Sequence, residues 1–177
     1  RVTLAAVADG MGGSSSGEIA SGLAIQGLFT RFERDRRRGE TLYDPAAQLV
    51  DAVVEANEGL VEFREALGKK TGSTLCAALC EGNTDVWIAN VGDSRAYRMR
   101  QGRLEALTED HSLVAAMVSE GMLTPNEART HPMSNVITRF IGQTEQVEVD
   151  LVHADAEPGD VFLLCSDGLW GELTDNE

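Results

Sequence analysis

The sequence predicts an α+β fold in which two long helices lie against antiparallel sheet. Three observations lead there. Residues 15–67 carry two successive stretches of helical periodicity. Residues 73–107 then switch to short apolar runs separated by hairpin turns. The apolar fraction, 42% of 177 residues, is ordinary for one globular domain with a substantial core.

The chain opens directly on an apolar run, residues 2–8, which reads as a strand. Ser15 and Glu18 have the spacing of a capping box. Behind them Ile19, Leu23, Leu28 and Phe32 recur at helical spacing, so a helix is expected to about Arg36. The basic run Arg36-Arg37-Arg38-Gly39 reads as its solvated C-terminus, where cations are favourable. Asp44-Pro45 starts a second helix, with Asp as N-cap and Pro at the first helical position. Its stripe of Leu49, Val50, Val53, Val54, Leu60 and Val61 carries it through about Leu67. Two such helices in sequence form a layer that needs a sheet beneath it.

Ser73–Cys80, Asp85–Val91 and Arg95–Arg100 read as strands, and Leu104–Leu107 continues the meander. Gly82-Asn83 and Gln101-Gly102 supply hairpin turns, which implies antiparallel pairing. Asp110 or Ser112 caps a helix through about Glu120, closed by Gly121. Thr124-Pro125 begins a short helix toward Arg129. Residues 131–142 are polar and irregular and read as a surface loop. Val147–Val152 alternates like a strand, Pro158-Gly159 turns, and Val161–Cys165 reads as a buried strand.

The formal charge of −14 argues against a nucleic-acid partner, because phosphate backbones recruit basic faces. Acidity serves solubility, and it also suits a protein that gathers carboxylates around hard cations. No apolar run approaches the roughly 20 residues of a bilayer span. Cys76, Cys80 and Cys165 lie in apolar runs. The first two, on one strand, stand roughly 13 Å apart, too far for a disulfide. Buried free thiols in a reducing, cytoplasmic compartment are expected.

Two segments share a design that carries chemistry. Val7-Ala8-Asp9-Gly10 and Leu164-Cys165-Ser166-Asp167-Gly168 each end a near-continuous apolar strand on Asp-Gly. A carboxylate just past a buried strand is held at the rim of its sheet. The glycine after it lets the backbone turn, so that a carbonyl can face a cation as well. Taken alone, each is equally a turn. Asn90-Val91-Gly92-Asp93-Ser94-Arg95 places a third aspartate between two strands, where it also reads as a hairpin turn.

Together these segments resemble the type 2C family of metal-dependent serine/threonine protein phosphatases. The resemblance is carried by Val7-Ala8-Asp9-Gly10-Met11-Gly12-Gly13, Gly72-Ser73-Thr74, Ala89-Asn90-Val91-Gly92-Asp93-Ser94-Arg95 and Leu164-Cys165-Ser166-Asp167-Gly168-Leu169-Trp170, in family order. Met11, and the stretch from Asp110-His111-Ser112 to Pro132, are most similar to the bacterial branch.

The resemblance implies a four-layer α/β/β/α sandwich, two antiparallel sheets flanked by helices. It implies two or three divalent cations, Mn or Mg. Asp9 would bridge two of them, the Gly10 carbonyl would bind one, and Asp167 the second. Asp93, with Asp167, would bind a third, which Ser134 or Asn135 of a flap would approach. Gly72-Ser73-Thr74 reads as strand packing. Catalysis would rest on Asp9 and Asp167 acting through metal-bound water. A water shared by cations about 3.5–4 Å apart loses a proton near neutral pH, and the hydroxide attacks phosphorus in line. The expected substrates are phosphoserine and phosphothreonine on proteins, with a cognate kinase or its substrates as partners.

Three features depart from the family pattern. Met11 stands where eukaryotic relatives carry a histidine often assigned as general acid, so the general acid is unknown. His111, His131 and His153 read as surface or packing residues. The family's N-terminal motif and its final metal aspartate are not matched, and Asp175-Asn176 reads instead as the start of a helix. Residues 1–177 are therefore expected to be a catalytic domain incomplete at both ends. Two other readings compete. One is a catalytically inactive metal-binding or partner-binding module on the same scaffold. The other is a calcium-binding domain, for which the twelve-residue loop of an EF-hand is missing.

Overall fold

The computed structural model describes residues 2–37, 44–68, 70–82 and 84–175. Arg38 and Gly39 of the predicted helix end, Asn83 of the predicted turn, and Asn176 lie outside them.

Among the described residues three sheets form, all antiparallel. The first has the order β1-β4-β5-β8, from β1 (Val2–Val7), β4 (Leu75–Glu81), β5 (Asp85–Val91) and β8 (Asp150–Asp155). The second has β7-β6-β9, from β6 (Arg95–Arg100), β7 (Arg103–Ala106) and β9 (Val161–Cys165). Between β1 and β4 in sequence, β2 (Gly10–Met11) pairs with β3 (Gly72–Ser73). The predicted meander therefore does not stay in one sheet. At Gly92-Asp93-Ser94 the chain crosses from the first sheet to the second, so this segment is a crossover and not a hairpin turn.

Helices α1 (Ser14–Arg37) and α2 (Pro45–Leu67) pack along each other and cover one face of the first sheet. Asp44 caps α2 as expected, its carboxylate accepting from the Ala47 N–H at 3.0 Å. The α1 start differs from the capping-box expectation. The helix already includes Ser14, and the Gly13 carbonyl accepts the Gly17 N–H at 2.9 Å, so Ser15 lies inside the first turn. Its buried stripe is Ala20, Ala24, Leu28 and Phe32, while Ile19 is 49% exposed. Small residues win that face because the helices run close: a Cβ on Gly27 would stand 3.1 Å from the Ala56 Cα.

Beneath the helices, Leu75, Ala77 and Leu79 of β4 and Ala89 and Val91 of β5 complete a dry core. The alternate residues Cys76, Val86 and Ile88 turn the other way and meet Ala96, Phe162 and Leu164 of the second sheet. Both faces of the first sheet are thus buried, which is why β4 reads as a continuous apolar run. The cysteines are free thiols, and burial pushes Cys76 up to about 12. Among the described residues the helix pair and the two stacked sheets supply three layers of the expected α/β/β/α order. On the outer face of the second sheet Val161 is 60% and Leu163 40% exposed.

The remaining helices are α3 (Leu113–Ser119), capped by Ser112, α4 (Pro125–Arg129), with a capping box from Thr124 to Glu127, and α5 (Asp167–Trp170). Residues 131–142 are irregular, but not all surface: Ile141 is fully buried and bridges Ser73. The strand expected at Val147–Val152 begins later, at Asp150, because Val147 and Val149 pack on the core before pairing starts. No helix of the described residues is long and apolar enough to cross a membrane.

Candidate active site

Antiparallel pairing brings five strand ends to one rim. Val7 lies opposite Cys76, Leu75 opposite Val91, and Arg95 opposite Cys165. Asp9, Thr74, Asp93 and Asp167 each stand one or two residues beyond those ends, so three of the predicted site residues converge although 158 positions separate Asp9 from Asp167.

Asp9 is fixed by its backbone. Its N–H donates to Thr74 Oγ1 at 2.9 Å, and its carbonyl accepts from the Thr74 N–H at 2.8 Å and from Ser73 Oγ at 3.0 Å. Thr74 Oγ1 also meets Ser94 Oγ at 2.7 Å, which ties Asp9 to the crossover that carries Asp93. Gly10 sits in β2 opposite Ser73. A Cβ there would lie 1.8 Å from the Gly17 carbonyl oxygen, so only glycine lets this turn pack on the first turn of α1.

Asp93 is only 6% exposed. Its backbone carbonyl accepts the Trp170 indole N–H at 2.9 Å, which links the crossover to α5. Asp167 opens that helix beside the Asp9 carboxylate. Arg95, two residues beyond Asp93, is committed elsewhere: it grips Asp110 with two bonds, at 2.8 and 2.7 Å, and stacks 3.8 Å over the Trp170 ring.

The electrostatics follow from this placement. Burial, then the charges of Asp110, Asp167 and Asp9, push the Asp93 carboxyl up to about 6. Desolvation, then the neighbouring Asp9 carboxylate, raise that of Asp167. Among the described residues no lysine, arginine or histidine forms an ion pair with Asp9, Asp93 or Asp167. Carboxylates crowded together in this way are what a bound cation relieves.

Ser134 and Asn135 lie elsewhere in their bonding. The Ser134 N–H donates to the His131 carbonyl at 2.9 Å, and the Asn135 side chain is exposed. Among the described residues none of the three histidines hydrogen-bonds to Asp9, Asp93 or Asp167. His153 binds Asp85 and stacks on Trp87, His131 accepts from the Met133 N–H, and buried His111 faces Gly92. Met11 pairs with Gly72 in β2. Sequence reasoning missed the work of Ser73, Thr74, Ser94 and His111. The available signal was a run of hydroxyl residues at buried strand ends, where polar groups need partners.

A family model described as protein phosphatase 2C matches residues 1–177. The chain belongs to the protein phosphatase 2C family. It is 40% identical over 175 residues to the serine/threonine protein phosphatase PstP of Mycobacterium tuberculosis, covering 97% of this chain and 32% of that protein. It thus spans about a third of that relative's length. It is 36% identical over 173 residues to the serine/threonine phosphatase Stp of Listeria welshimeri, covering 97% of this chain and 68% of that protein. A crystal structure of the catalytic domain of PstP with two manganese ions superposes with a TM-score of 0.83 at 35% identity, over 98% of this chain and 70% of that one.

The rim of this family member fits a divalent cation in its donor chemistry. Carboxylate oxygens without a counter-charge are the ligands that Mg²⁺ and Mn²⁺ take. The set is partial: among the described residues no three or more acidic, histidine or cysteine side chains converge closely enough to hold an ion by themselves.

Proposed function

We propose that this chain is the metal-dependent catalytic part of a protein serine/threonine phosphatase that hydrolyses phosphoserine and phosphothreonine on proteins. The observation that carries the reading is the rim itself, where buried Asp93, half-buried Asp9 and exposed Asp167 meet without an ion-pair partner among the described residues. Family membership and the named activities of PstP and Stp support it.

Asp9 would lie between two cations, Mn or Mg, with the Gly10 carbonyl on one and Asp167 on the other. Asp93 with Asp167 would take a third, and Ser134 or Asn135 are the loop positions assigned to approach it. When bound, such cations acidify water and offset charge on the phosphoryl group. The chain's own part is to hold Asp9 by Thr74 and Ser73, to hold Asp93 by Trp170, and to keep the carboxylates close. Water adds to phosphorus and gives up a proton, the ester P–O bond breaks, and the leaving serine or threonine oxygen takes up a proton, so the products are the free hydroxyl and inorganic phosphate, with the proton carrier not assigned among these residues. Ligands beyond the partial set would come from water and from a domain longer than these 177 residues, since the chain covers 70% of the solved PstP domain. Phosphorylated proteins in the cytoplasm, and a kinase whose marks are removed, are the partners this reading assigns.

The test is phosphate release from a phosphothreonine peptide by the full-length parent protein. Release should require Mn²⁺ or Mg²⁺, stop on chelation, and not be supported by Ca²⁺. Metal-independent release, or none from folded protein loaded with Mn²⁺ across several phosphopeptides, would overturn it.

A further inference from the structure

The crossover that carries Asp93 is held from its far side by one imidazole. The His111 N–H donates to the Gly92 carbonyl at 3.0 Å, and His111 Nδ1 accepts the Gly92 N–H at 3.0 Å. Both polar groups of Gly92 therefore close on a single buried residue. Gly92 stands at φ +112°, and a Cβ there would lie 2.7 Å from the Thr74 side chain, so the turn is tight and open to glycine alone.

Because Nδ1 accepts, the ring proton is on Nε2. Nε2 lies 3.0 Å from Asp150 Oδ2. Arg139 Nη1 also lies 3.0 Å from Nε2 but can only donate, which leaves that proton to Asp150. Arg139 in turn binds Asp150, and the His111 carbonyl accepts the Thr138 N–H at 2.8 Å. A chain of contacts thus runs from the loop at 131–142 through Asp150 and His111 to the residue before Asp93.

We propose that His111 is a positioning residue. It fixes the Gly92–Asp93 crossover, and through it the Asp93 carboxylate, while Asp150 and Arg139 set its tautomer and orientation. Outer partners of this kind typically change metal affinity about 10–100-fold when lost. The inference rests on the reading of Asp93 as a metal ligand.

The test compares two replacements of similar size and polarity. His111→Asn keeps an acceptor where Nδ1 stands, whereas His111→Gln places its polar end toward Asp150 and gives up Gly92. Mn²⁺ affinity of the chain is read from the paramagnetic resonance of free Mn²⁺, and exchange of the Gly92 amide proton is read by NMR. His111→Asn should keep affinity within about threefold and keep the amide protected, while His111→Gln should lose about 10–100-fold and exchange faster. Simple disruption of a buried site would weaken both alike, so equal losses would overturn the inference. So would wild-type affinity in His111→Gln with a fast-exchanging Gly92. Failure of the unsubstituted chain to bind Mn²⁺ would instead sink the metal-site reading, and this inference with it.

Discussion

Asp155, Glu157 and Asp160 crowd around Arg100 where β8 hands over to β9, while Asp9, Asp93 and Asp167 crowd together at the other end of the same sheets. In the first group Arg100 reaches all three acids, at 3.2, 2.9 and 2.7 Å. That guanidinium draws the Asp160 carboxyl down to about 2. In the second group burial and like charge drive Asp93 the opposite way, up to about 6. The residue type is the same and the difference is the counter-charge. An acidic cluster that carries its own arginine is finished as a structure. One that leaves its charges uncompensated is built to be completed by something else.

The sharpest way to break this contrast is to neutralise one acid in each cluster. Asp9→Asn should lower Mn²⁺-dependent phosphate release by at least about 100-fold, because it removes a charge from the proposed bridging position. Asp160→Asn should leave release near the parent value and lower the melting temperature, because it strips Arg100 of its best partner. Equal activity losses from the two would erase the distinction.

Stability without metal should divide the clusters in the opposite sense. The folded pKa of Asp93, about 6, lies above its ordinary 3.8. The native state therefore binds that proton more tightly than the unfolded chain does, and stability falls as pH rises through about 4 to 6. Asp93→Asn should stabilise the metal-free protein at pH 7 by about 1–3 kcal/mol and flatten that fall, measured by denaturant melts across pH. Asp160, with its folded pKa depressed to about 2, contributes stability present above about 4 and lost as pH falls toward 2. A metal-free Asp93→Asn protein that is less stable at pH 7 would contradict the burial argument.

An effect of similar size but opposite sign is expected at Thr74. Thr74→Val keeps the shape but leaves the Asp9 N–H without its acceptor and Ser94 without its partner. A cost of about 1–3 kcal/mol follows, together with weaker Mn²⁺ binding. A full-strength metal site in that variant would show that the hydroxyls only pack.

Much of this arrangement is legible in the residues. β5, β6 and β9 fall where short strand-like runs and flanking turns place them, and Asp44-Pro45 marks α2 because its cap chemistry is local. The crossover at Gly92-Asp93-Ser94 is not legible. A short polar segment between two strands has the same local chemistry whether it closes a hairpin or changes sheets, and only tertiary packing decides. The α1 stripe misleads for a related reason. Hydrophobicity favours Ile19, but the close approach of α2 at Gly27 and Ala56 selects alanines for the buried face. At the site the aspartates stand out by their Asp-Gly motifs. Their supports do not, because the bonds Thr74–Asp9, Ser94–Thr74, His111–Gly92 and Trp170–Asp93 span 65, 20, 19 and 77 positions and no local pattern records them.

The central claim is that the uncompensated rim, and not acidity in general, binds the cation. Mn²⁺ titration of the parent chain alongside Asp167→Asn and Asp160→Asn tests it most directly. The account predicts that Asp160→Asn binds like the parent while Asp167→Asn weakens binding at least about tenfold. Equal affinity in all three proteins, or a loss confined to Asp160→Asn, would contradict it.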